Sequence, residues 1–137
     1  MKIGTVLETC LYGRDLNEME RFYRDVLGLE VYSKVEGRHV FFRCGRSMLL
    51  IFNPEKTNQP GQGVPPHGAV GAGHIAFGVP EAELPQWQEQ LEGNGVEIEV
   101  VVEWPAGGYS LYFRDPTGNS VEITTPKIWR IPEPEVG

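Results

Sequence analysis

The chain has 137 residues, the size of one domain that can bury a hydrophobic core without disulfides as staples. Its 12 Lys and Arg residues against 19 Asp and Glu residues give a net charge of −7, which argues against a nucleic-acid partner because phosphates would be repelled. No apolar run is long enough to span a bilayer, and the opening residues MKIGTVLETC lack the apolar segment of a signal peptide. We therefore expect a cytoplasmic protein without a membrane partner.

The first predicted element is a strand over residues 3–12, because side chains of alternating character follow one another there. Glu8 shares one face of this strand with Cys10 and Tyr12, whereas Leu11 belongs to the other face. Glu8 is therefore a charged residue in mostly apolar company. A carboxylate in that position is a candidate for binding or catalysis.

An amphipathic helix follows the first strand. Asp15 is predicted to be its N-cap, with Glu18 at capping-box spacing, and Gly28 is predicted to end it. The apolar residues at helical spacing are Leu16, Met19, Phe22, Tyr23, Val26 and Leu27. Three further strands are predicted over residues 29–34, 38–44 and 47–53. Residues 3–53 thus form a first β-α-β-β-β module.

Residues 54–72 are rich in Pro and Gly and contain little that could pack. They are predicted to be a linker between two halves, or alternatively a loop over the mouth of a cavity. His67 lies in this segment. We expect it to be a solvated loop residue, with a ligand or gating role as the alternative.

Residues 73–126 repeat the β-α-β-β-β pattern as a second module, followed by a tail over residues 127–137. The predicted strands are 73–79, 96–102, 109–114 and 120–124, and the predicted helix runs from Pro80 to Leu91. The segment from Trp104 to Gly108 is predicted to be either a mobile flap or a plain hairpin.

The last two strands of this module are joined by Asp115-Pro116-Thr117-Gly118-Asn119, a sequence typical of a tight turn. In the strand after the turn, Val121 and Ile123 face one way and Glu122 faces the other. Water or a ligand must contact that polar face. Glu122 is therefore either part of a functional site or an ordinary residue on a solvated strand face.

The two modules can be placed in register. Glu8 lies seven residues before Asp15, and His74 lies seven residues before Glu81. Glu8 and His74 therefore occupy equivalent positions on equivalent first strands, although His74 alone would more commonly be a structural histidine. Carried forward to the last strands, the repeat matches Glu122 to a position near Leu50.

Three stretches resemble the vicinal oxygen chelate superfamily, which includes glyoxalase I, fosfomycin-resistance proteins, methylmalonyl-CoA epimerases, extradiol dioxygenases and metal-free bleomycin-binding proteins. They are LETCLYGRDLNEMERFYRDVLGLEV at 7–31, GHIAFGV at 73–79 and RDPTGNSVEI at 114–123. The resemblance implies an α+β fold in which two βαβββ modules form paired half-barrel sheets around a cavity, with helices on the outer face. The whole chain, 1–137, would be a single glyoxalase-like domain.

In members of the family, first and last strands of each module supply the ligands of a divalent metal. The resemblance therefore implies Glu8, His74 and Glu122 as metal ligands, with the carboxylates of Glu8 and Glu122 also as candidates for catalysis. The fourth position departs from the pattern because Leu50 cannot ligate. The fourth coordination position is either left open or filled by His67.

One nitrogen and two carboxylates suit Fe²⁺, Mn²⁺, Zn²⁺ or Ni²⁺. The expected function is a divalent-metal-dependent enzyme of the glyoxalase or dioxygenase type, which acts on a small oxygenated metabolite through bidentate oxygen chelation. The alternative is a metal-free protein that binds a small molecule such as a drug or antibiotic. Either protein is expected to be a homodimer. Candidates for anchoring an anionic substrate are His39, Arg43, Arg46, Tyr112 and Arg114.

Overall fold

The computed structural model describes residues 1–133 and divides the chain into two compact units, Met1–Gly73 and His74–Gly137. Each unit contains one four-stranded sheet and a helix that packs on it, and each follows the order β-α-β-β-β. The predicted α+β fold of two βαβββ modules is confirmed. Within the described residues, no helix is both long and apolar enough to cross a membrane.

Unit 1 is built on a mixed sheet. Its elements are β1 (Glu8–Tyr12), α1 (Leu16–Arg21), β2 (Glu30–Val35), β3 (His39–Cys44), β4 (Ser47–Phe52) and α2 (Pro54–Thr57), with a π-helical turn at Phe22–Val26. The strand order is β1-β4-β3-β2, with β1 parallel to β4 and the remaining pairs antiparallel. The core of unit 1 consists of side chains that are nearly or fully buried, among them Leu11, Met19, Tyr23, Val40, Phe42, Leu49 and Ile51.

The ends of the helical segment made of α1 and the π-helical turn follow the sequence prediction. The side chain of Asp15 accepts a hydrogen bond of 3.0 Å from the Glu18 backbone N–H, which makes Asp15 the N-cap. Gly28 has φ +75°, the left-handed conformation that a helix-ending glycine adopts readily. Between them, the π-helical turn is a departure that the regular apolar spacing did not indicate.

Unit 2 repeats the arrangement of unit 1. Its elements are β5 (His74–Gly78), a 3₁₀ turn (Glu81–Glu83), α3 (Leu84–Gly93), β6 (Val100–Glu103), β7 (Tyr109–Arg114), β8 (Ser120–Thr124) and a second 3₁₀ turn (Pro126–Trp129). The strand order is β5-β8-β7-β6, with β5 parallel to β8. Part of the predicted tail, residues 134–137, lies outside the described residues.

One face of the unit 2 sheet is the core. Leu111, Phe113 and Val121 are fully buried, as are Leu84 and Leu91 of α3. Because side chains alternate across a strand, the neighbours of these residues in β7 and β8 project from the opposite face. That second face carries Glu122, as the alternation in the sequence predicts.

Two strand predictions are wrong. The first strand begins at Glu8 rather than at residue 3, because β4 begins at Ser47 and Glu8 already pairs with Met48. The strand predicted at 96–102 begins at Val100, since the Val96 N–H donates to Leu91 O at the end of α3. Within the predicted linker, 54–72, the first four residues form α2.

The sheet registers place the two modules in correspondence. In unit 1, Glu8 pairs with Met48 and Cys10 pairs with Leu50. In unit 2, the equivalent partners are His74 with Ser120 and Ala76 with Glu122. Glu8 and His74 are therefore equivalent, and Glu122 is equivalent to Leu50, as the sequence repeat predicts.

Candidate metal centre

His74 and Glu122 meet on the polar face of the unit 2 sheet. They lie on neighbouring strands, and Nε2 of His74 is 3.2 Å from Oε1 of Glu122. The His74 side chain is about half exposed, whereas that of Glu122 is only 7% exposed. The pair therefore combines an accessible imidazole with a carboxylate that is almost removed from water.

The backbone fixes the orientation of the His74 ring. Nδ1 of His74 lies 3.0 Å from the carbonyl oxygen of Ser120, which can only accept a hydrogen bond. The Nδ1 atom therefore carries a proton and donates it, and in the neutral ring the lone pair is on Nε2. That lone pair lies against a carboxylate oxygen, so a proton or a cation is needed between them. Metal-binding histidines commonly have this second hydrogen bond to a carbonyl group.

The other oxygen of Glu122 is held by a chain of hydrogen bonds. The hydroxyl of Ser110 donates to Oε2 of Glu122, and Nε1–H of Trp104 donates to Oγ of Ser110 at 2.8 Å. Ser110 is fully buried. A buried carboxylate is tolerated when hydrogen bonds replace its hydration. Because Ser110 donates to Oε2 of Glu122, the other oxygen, Oε1, is oriented toward His74.

Tyr112 completes this face of the sheet. It pairs with Glu122 in the register of β7 and β8, and its ring lies near-parallel to that of His74 at a centroid distance of 6.2 Å. Partial burial raises the pKa of the Tyr112 phenol, and the negative charge of Glu122 raises it further. Tyr112 therefore keeps its proton and remains a hydrogen-bond donor beside the carboxylate.

Glu8 belongs to unit 1, where it is the first residue of β1 and is exposed. Its charge, together with the larger effect of burial, raises the pKa of the Cys10 thiol on the same strand face. Residues 1–133 contain no group of three or more His, Cys, Asp or Glu side chains close enough to hold a metal ion. The structure therefore brings together two of the three predicted ligands, His74 and Glu122.

The family comparison covers most of the chain. Residues 3–123 match the model of the Glyoxalase/Bleomycin resistance protein/Dioxygenase superfamily. The chain belongs to this superfamily. The resemblance inferred from the three sequence stretches is thereby confirmed.

Members of the superfamily with different activities are similar to this chain. A metallothiol transferase, FosB, of Staphylococcus epidermidis is 30% identical over 91% of the chain and 84% of its own length. Biphenyl-2,3-diol 1,2-dioxygenase 3 of Rhodococcus globerulus is 33% identical over 82% of the chain and 58% of its own length. The crystal structure of a lactoylglutathione lyase from Agrobacterium tumefaciens matches with a TM-score of 0.92 and 43% identity, and covers 96% of this chain and 100% of that one.

Leu50, which the sheet registers make equivalent to Glu122, is 8% exposed and has no atom that can bind a metal. His67, the alternative donor, packs against Tyr12 and Phe52 in unit 1. Its Nδ1 atom lies 2.6 Å from the hydroxyl of Tyr12, and its ring edge packs on Phe52 at a centroid distance of 4.7 Å. The sequence had suggested a solvated loop residue, but His67 is half-buried.

The candidate substrate anchors are in different situations. Arg114 donates to Glu99 and to the carbonyl oxygen of Gly118, so its charge is already partnered. Arg43 lies over the ring of Tyr32 at 4.6 Å. Arg46 is exposed in the turn between β3 and β4. His39 is stacked on Phe41 in the same cluster of rings as His67.

Sequence reasoning missed the contribution of Ser110 and Trp104. The signal was present, because Ser110 and Tyr112 alternate with the core residues of β7 and must share the face of Glu122. The hydrogen bond from Trp104 could not be inferred, since it depends on the turn that brings the indole back over the strand. The Gly108 carbonyl closes that turn by accepting from the Trp104 N–H.

Proposed function

We propose that this protein is a divalent-metal-dependent enzyme of the glyoxalase or dioxygenase type that acts on a small oxygenated metabolite through two adjacent oxygens. The pairing of His74 Nε2 with Glu122 Oε1 at 3.2 Å is the observation that carries the proposal. Each side chain is oriented by a second hydrogen bond, from His74 to Ser120 and from Ser110 to Glu122. Such outer partners are characteristic of metal ligands.

The donor atoms limit which metal ions can bind. His74 supplies an imidazole nitrogen, Glu122 supplies a carboxylate oxygen, and we propose Glu8 as a second carboxylate. Fe²⁺, Mn²⁺, Zn²⁺ and Ni²⁺ accept this mixture of donors. With Leu50 in place of a fourth ligand, positions remain for water and for substrate oxygens.

A divalent ion held there would polarise the bound oxygens and stabilise negative charge that develops on them. The residues of the chain prepare the site for that role. Ser110 and Ser120 fix the directions of Glu122 and His74, so little reorganisation is needed on binding. Tyr112 adds a phenolic donor on the same face of the sheet.

Glu8 has two possible roles, third ligand or general base, and the Glu8→Gln variant separates them. As a ligand, Glu8 contributes to metal affinity. As a base, it takes a proton from the substrate and leaves metal affinity unchanged. Glutamine has nearly the shape of glutamate, so a loss of metal in this variant reports the lost carboxylate.

We further propose that the protein is a homodimer in which a second copy completes each site. Glu8 is exposed on unit 1, at the head of an edge strand, and the residues before it expose large apolar side chains. Ile3, Val6 and Leu7 are 93%, 75% and 66% exposed. Exposed apolar side chains that lie close together along the chain are typical of an interaction surface.

The relatives support a metal-dependent enzyme but do not select a reaction, because their names describe a metallothiol transferase, a dioxygenase and a lactoylglutathione lyase. One fold commonly hosts several reactions. The alternative is a metal-free protein that binds a small molecule such as a drug. The replacement of the fourth ligand by Leu50 favours that alternative.

Calorimetric titration of the metal-free protein with Zn²⁺ and Mn²⁺ tests the proposal. We expect one site per chain, with affinity at least about tenfold lower in His74→Gln and in Glu122→Gln. Glu97→Gln, which removes an exposed carboxylate outside the site, is the matched control and should bind as the wild type does. Absence of saturable binding in the wild-type protein would favour the metal-free alternative.

A further inference from the structure

Five aromatic side chains of unit 1 meet around Phe52, and we call them the Phe52 cluster. The members are Tyr12, His39, Phe41, Phe52 and His67. The rings of His39 and Phe41 are stacked at 4.0 Å and 10°, and Phe41 and His67 meet Phe52 edge-on at 5.4 and 4.7 Å. None of these residues belongs to the His74–Glu122 pair.

The cluster is on the face of the unit 1 sheet away from the helix. Tyr12, Phe52 and His39 are partners across neighbouring strands, so their side chains share one face. Glu8 lies on that same face of β1, four residues before Tyr12. Phe52 is 5% exposed, whereas the other four rings are only half-buried. The cluster therefore presents the accessible parts of four rings, packed around the buried Phe52, to a ligand.

The hydrogen bond from Arg38 determines which ring nitrogen of His39 carries the proton. Arg38 donates through its guanidinium to Nδ1 of His39, and a guanidinium has no acceptor. Nδ1 must therefore accept, which places the ring proton on Nε2. Burial, with a smaller effect of the Arg38 charge, lowers the pKa of His39 and keeps the ring neutral. The free nitrogen of His39 is thus a donor.

His67 is held in the same way from the loop. The Tyr12 hydroxyl lies 2.6 Å from its Nδ1, and burial raises the pKa of Tyr12, so the phenol keeps its proton and can donate it. The backbone N–H of His67 donates to the carbonyl oxygen of Thr57 at 3.0 Å, which anchors the loop beneath the ring. The remaining nitrogen of His67 is an N–H donor when Tyr12 donates and an acceptor when Tyr12 accepts.

Positive charge lies at the same place. The guanidinium carbon of Arg38 is 5.7 Å from the centre of the Phe52 ring. Although the net charge of the chain is −7, one arginine and the ring nitrogens of two histidines lie around these aromatic side chains. A ligand that complements this arrangement has a flat ring and negatively charged oxygen acceptors.

We propose that the Phe52 cluster binds a planar organic anion, an aromatic carboxylate or a similar conjugated acid, with its ring on the half-buried Phe41 and its charged oxygens toward Arg38, His39 and His67. This anion site goes beyond the proposed function, and all of its residues belong to unit 1.

Histidine ring NMR of the metal-free full-length protein tests the cluster directly with 2-naphthoate as the probe. The chain has three histidines, so the ring signals can be assigned with one His→Gln variant for each. We expect 2-naphthoate to shift the signals of His39 and His67 in a saturable manner and to leave that of His74 unchanged. Zn²⁺, added separately, should shift the His74 signal.

Two arginines give a pair of variants: Arg38 lies in the turn before β3, and Arg21 is exposed on α1, which packs on the other face of the sheet. Arg38→Gln should weaken 2-naphthoate binding about tenfold, whereas Arg21→Gln, which removes the same charge away from the cluster, should change it less than about twofold. Neither side chain is part of the hydrophobic core, so folding should be unaffected. Circular dichroism spectra check this.

The outcomes separate the two proposals. Shifts of His39 and His67 with 2-naphthoate, but none of His74 with Zn²⁺, would support the anion site and contradict the metal centre. A shift of His74 with Zn²⁺, but none of His39 and His67 with 2-naphthoate, would overturn the anion site alone. Equal weakening by Arg38→Gln and Arg21→Gln would also overturn it, because the position of the charge would then not matter. Equal binding of cyclohexanecarboxylate would overturn it as well, because the flat ring would then not matter.

Discussion

The side chain on which the candidate centre depends most is Ser110, although it has no donor role toward a metal in the proposal. Its hydroxyl holds Oε2 of Glu122, and Trp104 holds Ser110 in turn. Ser110→Ala removes this support and leaves a buried carboxylate with less hydrogen bonding. We predict that metal affinity falls about 10–100-fold and that the free energy of unfolding falls by about 1–3 kcal/mol.

Metal titration and urea denaturation of Ser110→Ala measure both effects. Trp104→Phe is the graded control, because it removes only the donor to Ser110 and preserves the hydrogen bond to Glu122. Its effect on metal affinity should be clearly smaller. If both variants bind metal as the wild type does, the hydrogen-bond chain does not orient Glu122.

At the same scale, His39 makes a prediction about pH and stability. Its pKa is lowered in the folded protein from the ordinary value of 6.5, chiefly by burial. As the pH falls below 6.5, the unfolded chain takes up this proton before the folded protein does, so the free energy of unfolding decreases until the lowered pKa is passed. Above 6.5, His39 causes no such change.

Urea midpoints at about pH 7.5 and about pH 5.5 measure this effect. His39→Gln cannot titrate, so the decrease on acidification should be smaller in the variant than in the wild type. An identical decrease in the two proteins would show that His39 has no lowered pKa in the folded state.

Among the elements, the hairpin from Trp104 to Gly108 has the strictest steric requirement. Gly108 has φ +76°, and a Cβ at this position would lie 2.6 Å from Cγ2 of Thr125. Gly108→Ala therefore combines a strained backbone with a clash. We predict a loss of about 2–4 kcal/mol in the free energy of unfolding, together with weaker metal binding because Trp104 is displaced.

Gly95→Ala is a matched control for this hairpin. Gly95 has nearly the same φ, +75°, but nothing lies within 4 Å of its added Cβ. Thermal unfolding of the two variants separates the contribution of the clash from that of the backbone. Equal losses of stability would contradict the close packing of Gly108 on Thr125.

The elements also show which features a sequence can predict. Asp15 and the turn at Asp115 were predictable because their chemistry is local: each side chain accepts from backbone N–H groups a few residues away. The equivalence of Glu122 and Leu50 followed from the repeat, since equal spacing imposes equal register. These predictions needed no knowledge of distant contacts.

Features that depend on distant contacts were not predictable. The start of β1 is set by where β4 begins, about forty residues later in the chain. The contact of His67 with Tyr12 and Phe52 depends on the path of the loop. The hydrogen bonds from Trp104 to Ser110 and from Ser110 to Glu122 join two strands and a hairpin. The site was therefore predicted as residues but not as a network.

For the whole molecule, we predict a homodimer. Exposed Ile3, Val6 and Leu7 precede the edge strand that carries Glu8. Light scattering should give twice the mass of the chain at micromolar concentration. Val6→Asp should shift the protein toward monomer, whereas Val70→Asp, at a residue 90% exposed in the loop, should not. A monomer in the wild type would contradict the dimer.

Elemental analysis of the purified, untagged protein is the most direct test of the proposed metal centre. We predict nearly one equivalent of a transition metal per chain, lost in the His74→Ala/Glu122→Ala double variant and retained in Glu97→Gln. The protein should first be offered Fe²⁺, Mn²⁺, Zn²⁺ and Ni²⁺. No metal in the wild type after this, or equal metal in the double variant, would contradict a metal centre on His74 and Glu122.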